Sequence, residues 1–188
     1  NVAAAGNTIN GIINSSSANT VNINSNTVSQ IPAVNLAGTG TWIMIEGGSP
    51  GGTLNTNNNI VSNIVRTGAG GSFRGVKAAT PVGLWTCTGN LVENLSYSAV
   101  ASTGGFDAIY DLSSATLTNI SSNIIRNLST PTTGTINGIR INTVTGTHTC
   151  NNNQVYNFST TAGGVGGATF VGISFSVGNL SASGNTIY

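Results

Sequence analysis

An internal repeat of about 31 residues constrains this chain more than any other feature. The pattern Asn, any, Val/Ile/Leu, any, Asn/Gln, Ile/Leu/Phe recurs at Asn26–Ile31, Asn59–Ile64, Asn90–Leu95, Asn123–Leu128 and Asn153–Phe158, and begins again at Asn185–Tyr188. Successive leading asparagines lie 33, 31, 33, 30 and 32 residues apart. A second block keeps step with the first, reading aromatic or Ile, any, small, then Ile or Val: Ile9–Ile12, Trp42–Ile45, Phe73–Val76, Phe106–Ile109, Ile136–Ile139 and Phe170–Ile173, with Met44 the one departure at the small position. A third block precedes each leading Asn, at Val21–Ile23, Leu54–Thr56, Trp85–Cys87, Thr118–Ile120, His148–Cys150 and Leu180–Ala182.

Each period thus carries three short strand-like segments separated by Gly, Ser, Thr and Asn turns. A segment with two or three apolar residues cannot bury a face alone, but like segments of successive coils can do so by stacking. The expectation is an all-β, parallel β-solenoid: one domain over residues 1–188, six coils of about 31 residues, three short strands per coil and uncapped ends. Composition agrees. Asn 27, Gly 26, Thr 26 and Ser 21 make up 100 of 188 residues, all weak helix formers, and no apolar stripe of helical period is present. The leading Asn has a physical reading in such a stack. At a bend it tolerates left-handed backbone, and its amide can bond both its own turn and the Asn one coil away, so Asn26, Asn59, Asn90, Asn123, Asn153 and Asn185 are expected to form a ladder.

The Asn-x-Ile-x-Asn-Leu pattern with Ser, Thr and Gly spacers resembles the right-handed parallel β-helix repeat family, most closely the repeats of giant secreted surface proteins and adhesins of Bacteroidota. That resemblance covers essentially the whole chain. It implies a right-handed coil, an extracellular or cell-surface location and a place in a long array of similar coils. The family also includes polysaccharide-degrading enzymes, whose active sites lie on one sheet face.

Charge is sparse: only 5% of residues are Asp, Glu, Lys or Arg, and the net charge is +1. Nucleic acid is excluded as a partner, because phosphate neutralisation needs clustered basic residues. No apolar stretch approaches the ~20 residues of a membrane-spanning helix. The repeat places Glu46 one coil from Lys77, Arg74 one coil from Asp107 and Glu93 one coil from Arg126, so aligned neighbours are opposite in sign. The ends read as a junction. Asn185–Tyr188 stops inside the pattern and Asn1-Val2 supplies the two residues that complete it, so Asn1, Val2, Ile187 and Tyr188 are expected to meet head to tail, between copies or in adjoining coils of a longer chain.

Chemistry has little to stand on. Glu46, Arg74, Lys77, Asp107, Asp111 and Arg140 lie in the second block with Tyr110, and are expected to form solvated cross-coil pairs. Asp107 and Asp111, four residues apart on one strand, would stand roughly 13 Å apart, too far for either glycosidase arrangement. His148 falls in an inward column and reads as a packed core residue. Cys87 and Cys150 share a column two coils apart, beyond disulfide reach, and are expected as buried free thiols with Ile120 between them. The sequons at Asn94, Asn127 and Asn157 coincide with the Asn-Leu/Phe-Ser bend and read as structural. No catalytic, cofactor-binding or metal-binding residues are assigned. The function expected is structural: an extracellular solenoid, filament or adhesin-shaft repeat without enzymatic activity. The alternative is a glycan-binding module, with surface polysaccharide held by Lys77, Tyr110 and Arg140.

Overall fold

A computed structural model describes residues 9–30, 39–49, 51–67, 70–79, 83–98, 104–130, 134–143, 145–160, 167–176 and 178–188. Asn1 and Val2 of the expected junction, and Ile31 of the first motif, lie outside the described residues. Eighteen strands fall into three six-stranded parallel sheets, with no helix among the described residues. The first sheet stacks β1 (Ile9–Ile13), β4 (Trp42–Gly47), β7 (Phe73–Ala78), β10 (Phe106–Asp111), β13 (Thr135–Ile141) and β16 (Thr169–Phe175). The second stacks β2 (Thr20–Asn22), β5 (Thr53–Asn55), β8 (Leu84–Thr88), β11 (Leu117–Ser121), β14 (Thr147–Asn151) and β17 (Asn179–Ser183). The third stacks β3 (Thr27–Ser29), β6 (Ile60–Arg66), β9 (Leu91–Tyr97), β12 (Ile124–Thr130), β15 (Gln154–Thr160) and β18 (Thr186–Ile187). The chain is a parallel β-solenoid. It returns to the first sheet five times, from β1 to β16, and then adds the part-turn through β18, so six strands per sheet correspond to five closed turns.

Register follows the repeat. Ile9, Trp42, Phe73, Phe106, Ile136 and Phe170 form one inward column of the first sheet, and Ile12, Ile45, Val76, Ile109, Ile139 and Ile173 the next. Val28, Val61, Val92, Ile125, Val155 and Ile187 form the facing column of the third sheet. In the interior coils these side chains are fully buried, each worth about 1.5–3 kcal/mol of transfer free energy. Aromatic rings stack along the column, with Phe73 and Phe106 centroids 5.3 Å apart and Tyr97 edge-on to Phe106 at 4.6 Å.

The small residue of the second block also has a cause. A Cβ on Gly75 would meet the Ala108 carbonyl oxygen at 2.4 Å and Val92 Cγ1 at 3.3 Å. Between the two inward apolar residues, the carbonyl of the next coil and a valine of the third sheet fill the space. Left-handed backbone does not fall on the leading Asn. It falls on the residue just before it, at Ser25, Asn58, Gly89, Ser122, Asn152 and Gly184, and again on the fifth motif position, at Asn63, Asn94, Asn127 and Asn157. The leading Asn is instead the buried residue after that turn.

Candidate functional site

The expected cross-coil charges lie on the outward positions of β4, β7, β10 and β13. Arg74 pairs in register with Asp107 and then Asn137, while Glu46 pairs with Lys77, then Tyr110, then Arg140. Lys77 Nζ donates to Glu46 Oε1 at 3.0 Å. Asp107 is shared: Asn137 Nδ2 donates to its Oδ1 at 2.8 Å, Arg140 Nη1 stands 3.7 Å from Oδ1, and Arg74 Nε stands 3.9 Å from Oδ2. Two guanidinium groups lie over the Tyr110 ring, Arg74 Cζ at 4.7 Å and Arg140 Cζ at 5.4 Å from its centroid. The strip is less solvated than its composition implies. Lys77, Asp107 and Tyr110 are buried, and Arg74 and Arg140 keep only part of their surface. Because each cation already faces an anion or a ring, the strip stabilises coil register and has no uncommitted acid or base on β10.

Asp111 departs from the expectation of solvated pairing. It is fully buried and in register with Ala78 and Ile141 on the core side, because the inward positions of the strand fall at Phe106, Ile109 and Asp111, so alternation breaks at Ala108. Its carboxylate accepts bonds from the Ser113 N–H at 2.9 Å, the Ser113 hydroxyl at 2.6 Å and the Thr118 hydroxyl at 2.9 Å. His148 lies beside it in the core, with Nδ1 3.9 Å from Asp111 Oδ2. The other ring nitrogen, Nε2, contacts the Thr145 carbonyl at 3.1 Å and the Thr143 hydroxyl at 3.0 Å. This polar knot joins the first and second sheets. Among the described residues no group of three or more His, Cys, Asp or Glu side chains could hold a metal ion.

On the third sheet, Glu93 Oε2 accepts from Arg126 Nε and Nη2, each at 2.7 Å, and Arg126 Nη1 donates to the Tyr156 phenol oxygen at 3.2 Å. These bonds, the Tyr156 one first, raise the guanidinium's proton affinity above its ordinary value. At the corner between the third and first sheets sits a buried cation that the repeat pattern does not mark. Arg66 is fully buried, with Cζ 4.8 Å from the Trp42 ring and 5.2 Å from the Tyr97 ring. It donates to the carbonyls of Gly40 and Ser72 and to the Tyr97 hydroxyl. Burial lowers its proton affinity, and the neighbouring Tyr97 opposes that shift. The only local signal was an Arg at the last position of β6, where Tyr97 follows one coil later.

The asparagines form two ladders. In the inner one, Asn26, Asn59, Asn90, Asn123, Asn153 and Asn185 are linked by Nδ2-to-Oδ1 bonds of 2.9 to 3.0 Å. Each Oδ1 from Asn59 onward also accepts the backbone N–H of the preceding Asn, and each Nδ2 from Asn59 onward also donates to a carbonyl of the preceding coil, such as Cys87 O for Asn123 at 2.9 Å. All four bonding positions of the amide are therefore used, which is what a fully buried amide requires. The outer ladder links Asn63, Asn94, Asn127 and Asn157 by Nδ2-to-Oδ1 bonds at 3.0, 2.8 and 2.6 Å, the last three being the sequon asparagines.

Cys87 and Cys150 are buried free thiols flanking Ile120, and burial pushes both thiols up to about 12. Of the expected junction residues, Ile187 and Tyr188 are exposed, and the Tyr188 ring stacks on Tyr156 at 4.9 Å and 9°. No helix among the described residues is long and apolar enough to cross a membrane. Set beside protein-family models, curated proteins and solved structures, the chain matches none of them.

Proposed function

We propose that this chain is a structural solenoid, a rigid filament or adhesin-shaft repeat of the kind exported by Bacteroidota, acting at the cell surface without enzymatic activity and continuing head to tail with further coils. The observation that carries the reading is the inner Asn ladder. A column of saturated, buried amides running through every coil fixes register along the axis and creates no cleft; its chemistry is directed at the next coil rather than at a ligand. The outward charges are committed in the same way, each paired across a coil boundary. Negative-stain electron microscopy of the source material tests this: long uniform fibres are expected, and isolated short particles would overturn it.

Glycan binding by Lys77, Tyr110 and Arg140 is the second reading, favoured by the aromatic-cationic cluster on the first sheet. Against it, sugars stack on an exposed ring face, and Tyr110 is buried with two guanidinium groups over its ring. Replacing Lys77 and Arg140 together by Ala abolishes polysaccharide retention if this reading holds, and leaves it unchanged if the shaft reading holds.

A further inference from the structure

The outward column of the third sheet runs Ser62, Glu93, Arg126 and Tyr156 in register, and Tyr188 comes next. The backbone holds Tyr188 opposite Tyr156: its N–H donates to the Val155 carbonyl and its carbonyl accepts from the Asn157 N–H, each at 3.2 Å. A parallel, in-register sheet sets like positions one above the other, and here that leaves two phenol rings parallel, with centroids 4.9 Å apart and 9° between their planes. The chain has four tyrosines, and only these two occupy the same position in consecutive coils. Tyr110 is buried and has Lys77 and Arg140 as its register neighbours. Tyr97 is fully buried beside Arg66, and its hydroxyl donates to the Gly71 carbonyl at 3.0 Å. Arg126 Nη1 donates to the Tyr156 hydroxyl oxygen at 3.2 Å, and a guanidinium accepts nothing, so Arg126 steadies the ring without holding the phenolic proton.

We propose that Tyr156 and Tyr188 form an oxidative modification site, whose rings a one-electron oxidant couples into dityrosine, a covalent staple between consecutive coils. Each phenol gives up one electron and its hydroxyl proton and becomes a neutral tyrosyl radical. The two radicals join by a carbon–carbon bond between ring carbons ortho to the oxygens, and each of those carbons then passes its hydrogen to its own ring's oxygen, which restores the aromatic ring and the hydroxyl. With hydrogen peroxide as the oxidant, acting through a haem peroxidase, the two electrons and two protons removed reduce one peroxide to two waters. The stack supplies the selectivity, because a radical on one ring already has its partner beside it. Both side chains stand on the outer face, so rotation about their own torsions brings the reacting carbons together and leaves the core columns in place. The staple ties β18 to β15 in a molecule whose two cysteines are buried free thiols and make no such link.

The test treats the whole chain, at low protein concentration, with a haem peroxidase and hydrogen peroxide. The expected result is the blue fluorescence of dityrosine in monomeric protein. Chymotryptic cleavage at Phe158 and Phe170 should then yield two peptides joined through Tyr156 and Tyr188, together lighter by two hydrogens than their separate masses. Tyr156→Phe and Tyr188→Phe each remove only a hydroxyl from an outward ring, so circular dichroism should stay that of the parent while both signals vanish. Unfolding the chain in urea before oxidation should scatter the coupling among all four tyrosines. Oxidation of the folded chain that gives no dityrosine, that gives it only between molecules, or that gives it equally in Tyr156→Phe overturns the proposal, as does the same single link from the unfolded chain. None of these outcomes bears on the shaft reading, which the electron microscopy tests separately.

Discussion

Asn123 and Asn127 stand four residues apart in one repeat, and each belongs to a ladder of identical residues running along the solenoid. They do different physical work. Asn123 is fully buried, and its amide replaces the water that four backbone and side-chain groups would otherwise lack. Asn127 faces solvent at φ 57° and is there for its backbone: the left-handed turn that swings the third sheet past its midpoint. A ladder seen in a structure is therefore not by itself evidence of stabilisation. Burial decides whether its hydrogen bonds matter, since an exposed amide exchanges its neighbour for water at little cost, whereas a buried one leaves orphans.

Replacement of Asn123 by Leu is the largest way to break the comparison. It orphans the Asn90 backbone N–H, one Asn90 amide proton and the Cys87 carbonyl, all buried. At roughly 1–3 kcal/mol for each unsatisfied group, the loss consumes much of the ~5–15 kcal/mol that holds a domain of this size folded. Urea unfolding should show a collapse in midpoint, or a variant that does not fold. A loss below about 1 kcal/mol would mean that water enters the ladder freely and that the inner and outer columns are equivalent.

Asn123→Asp is a finer version with a pH signature. The carboxylate keeps an acceptor for Asn90 but turns a second oxygen towards the Cys87 carbonyl and Asn153 Oδ1, both acceptors. Burial beside acceptors raises this carboxyl's pKa above its unfolded value near ~3.9. The folded state then holds more protons than the unfolded one, so stability is greatest below the unfolded pKa and falls as pH rises through the folded one. Thermal melts should bring the variant nearest to the parent at low pH and furthest from it at neutral pH; a difference that does not change with pH would show the acid to be solvated.

Most of this architecture can be read from the residues, and its exceptions have specific causes. The three blocks per period locate the strands and columns because stacked coils demand one residue type per position, which a sequence displays as repetition. Strict alternation breaks at Ala108, and so Asp111, read as an outward charge, sits in the core against Ser113 and Thr118. Arg66 was illegible for a related reason. Its partners are ring faces and backbone carbonyls of a corner, and carbonyls carry no sequence signature. The leading Asn was legible as a ladder but not as a buried one, because the left-handed residue is its predecessor, whose identity varies among Ser, Asn and Gly.

The thiols offer a medium-sized test of how closed the inner ladder is. Asn90 Nδ2 lies 3.3 Å from Cys87 Sγ and Asn153 Nδ2 lies 3.4 Å from Cys150 Sγ, so either thiol reacts only when its rung opens. Burial pushes both thiols and the Tyr97 phenol up to about 12, above their ordinary values of 9.0 and 10.0. Between those limits the folded state again holds the extra protons, so stability should be level to about pH 9 and decline towards pH 12. Titration with a thiol reagent at pH 8 should find no reactive cysteine until denaturant is added. Rapid labelling of the native protein would show the inner ladder to be as open as the outer.

The smallest effect separates the outer ladder's two candidate roles. Asn127→Gly removes the amide bonds to Asn94 and Asn157 but adopts φ 57° without a Cβ penalty, whereas Asn127→Ala removes the same bonds and adds the left-handed strain, about 1 kcal/mol. If backbone geometry is the reason for Asn here, Gly should lie within a few tenths of a kcal/mol of the parent in unfolding measurements and Ala about 1 kcal/mol below it. Neither should alter thiol labelling at Cys87, because the inner rung is untouched. Should Gly prove as costly as Ala, the exposed amide bonds themselves contribute, and the distinction between the ladders would be one of degree. The order Leu at 123, then Ala at 127, then Gly at 127 is thus a direct reading of what burial adds to a hydrogen bond that looks the same at both positions.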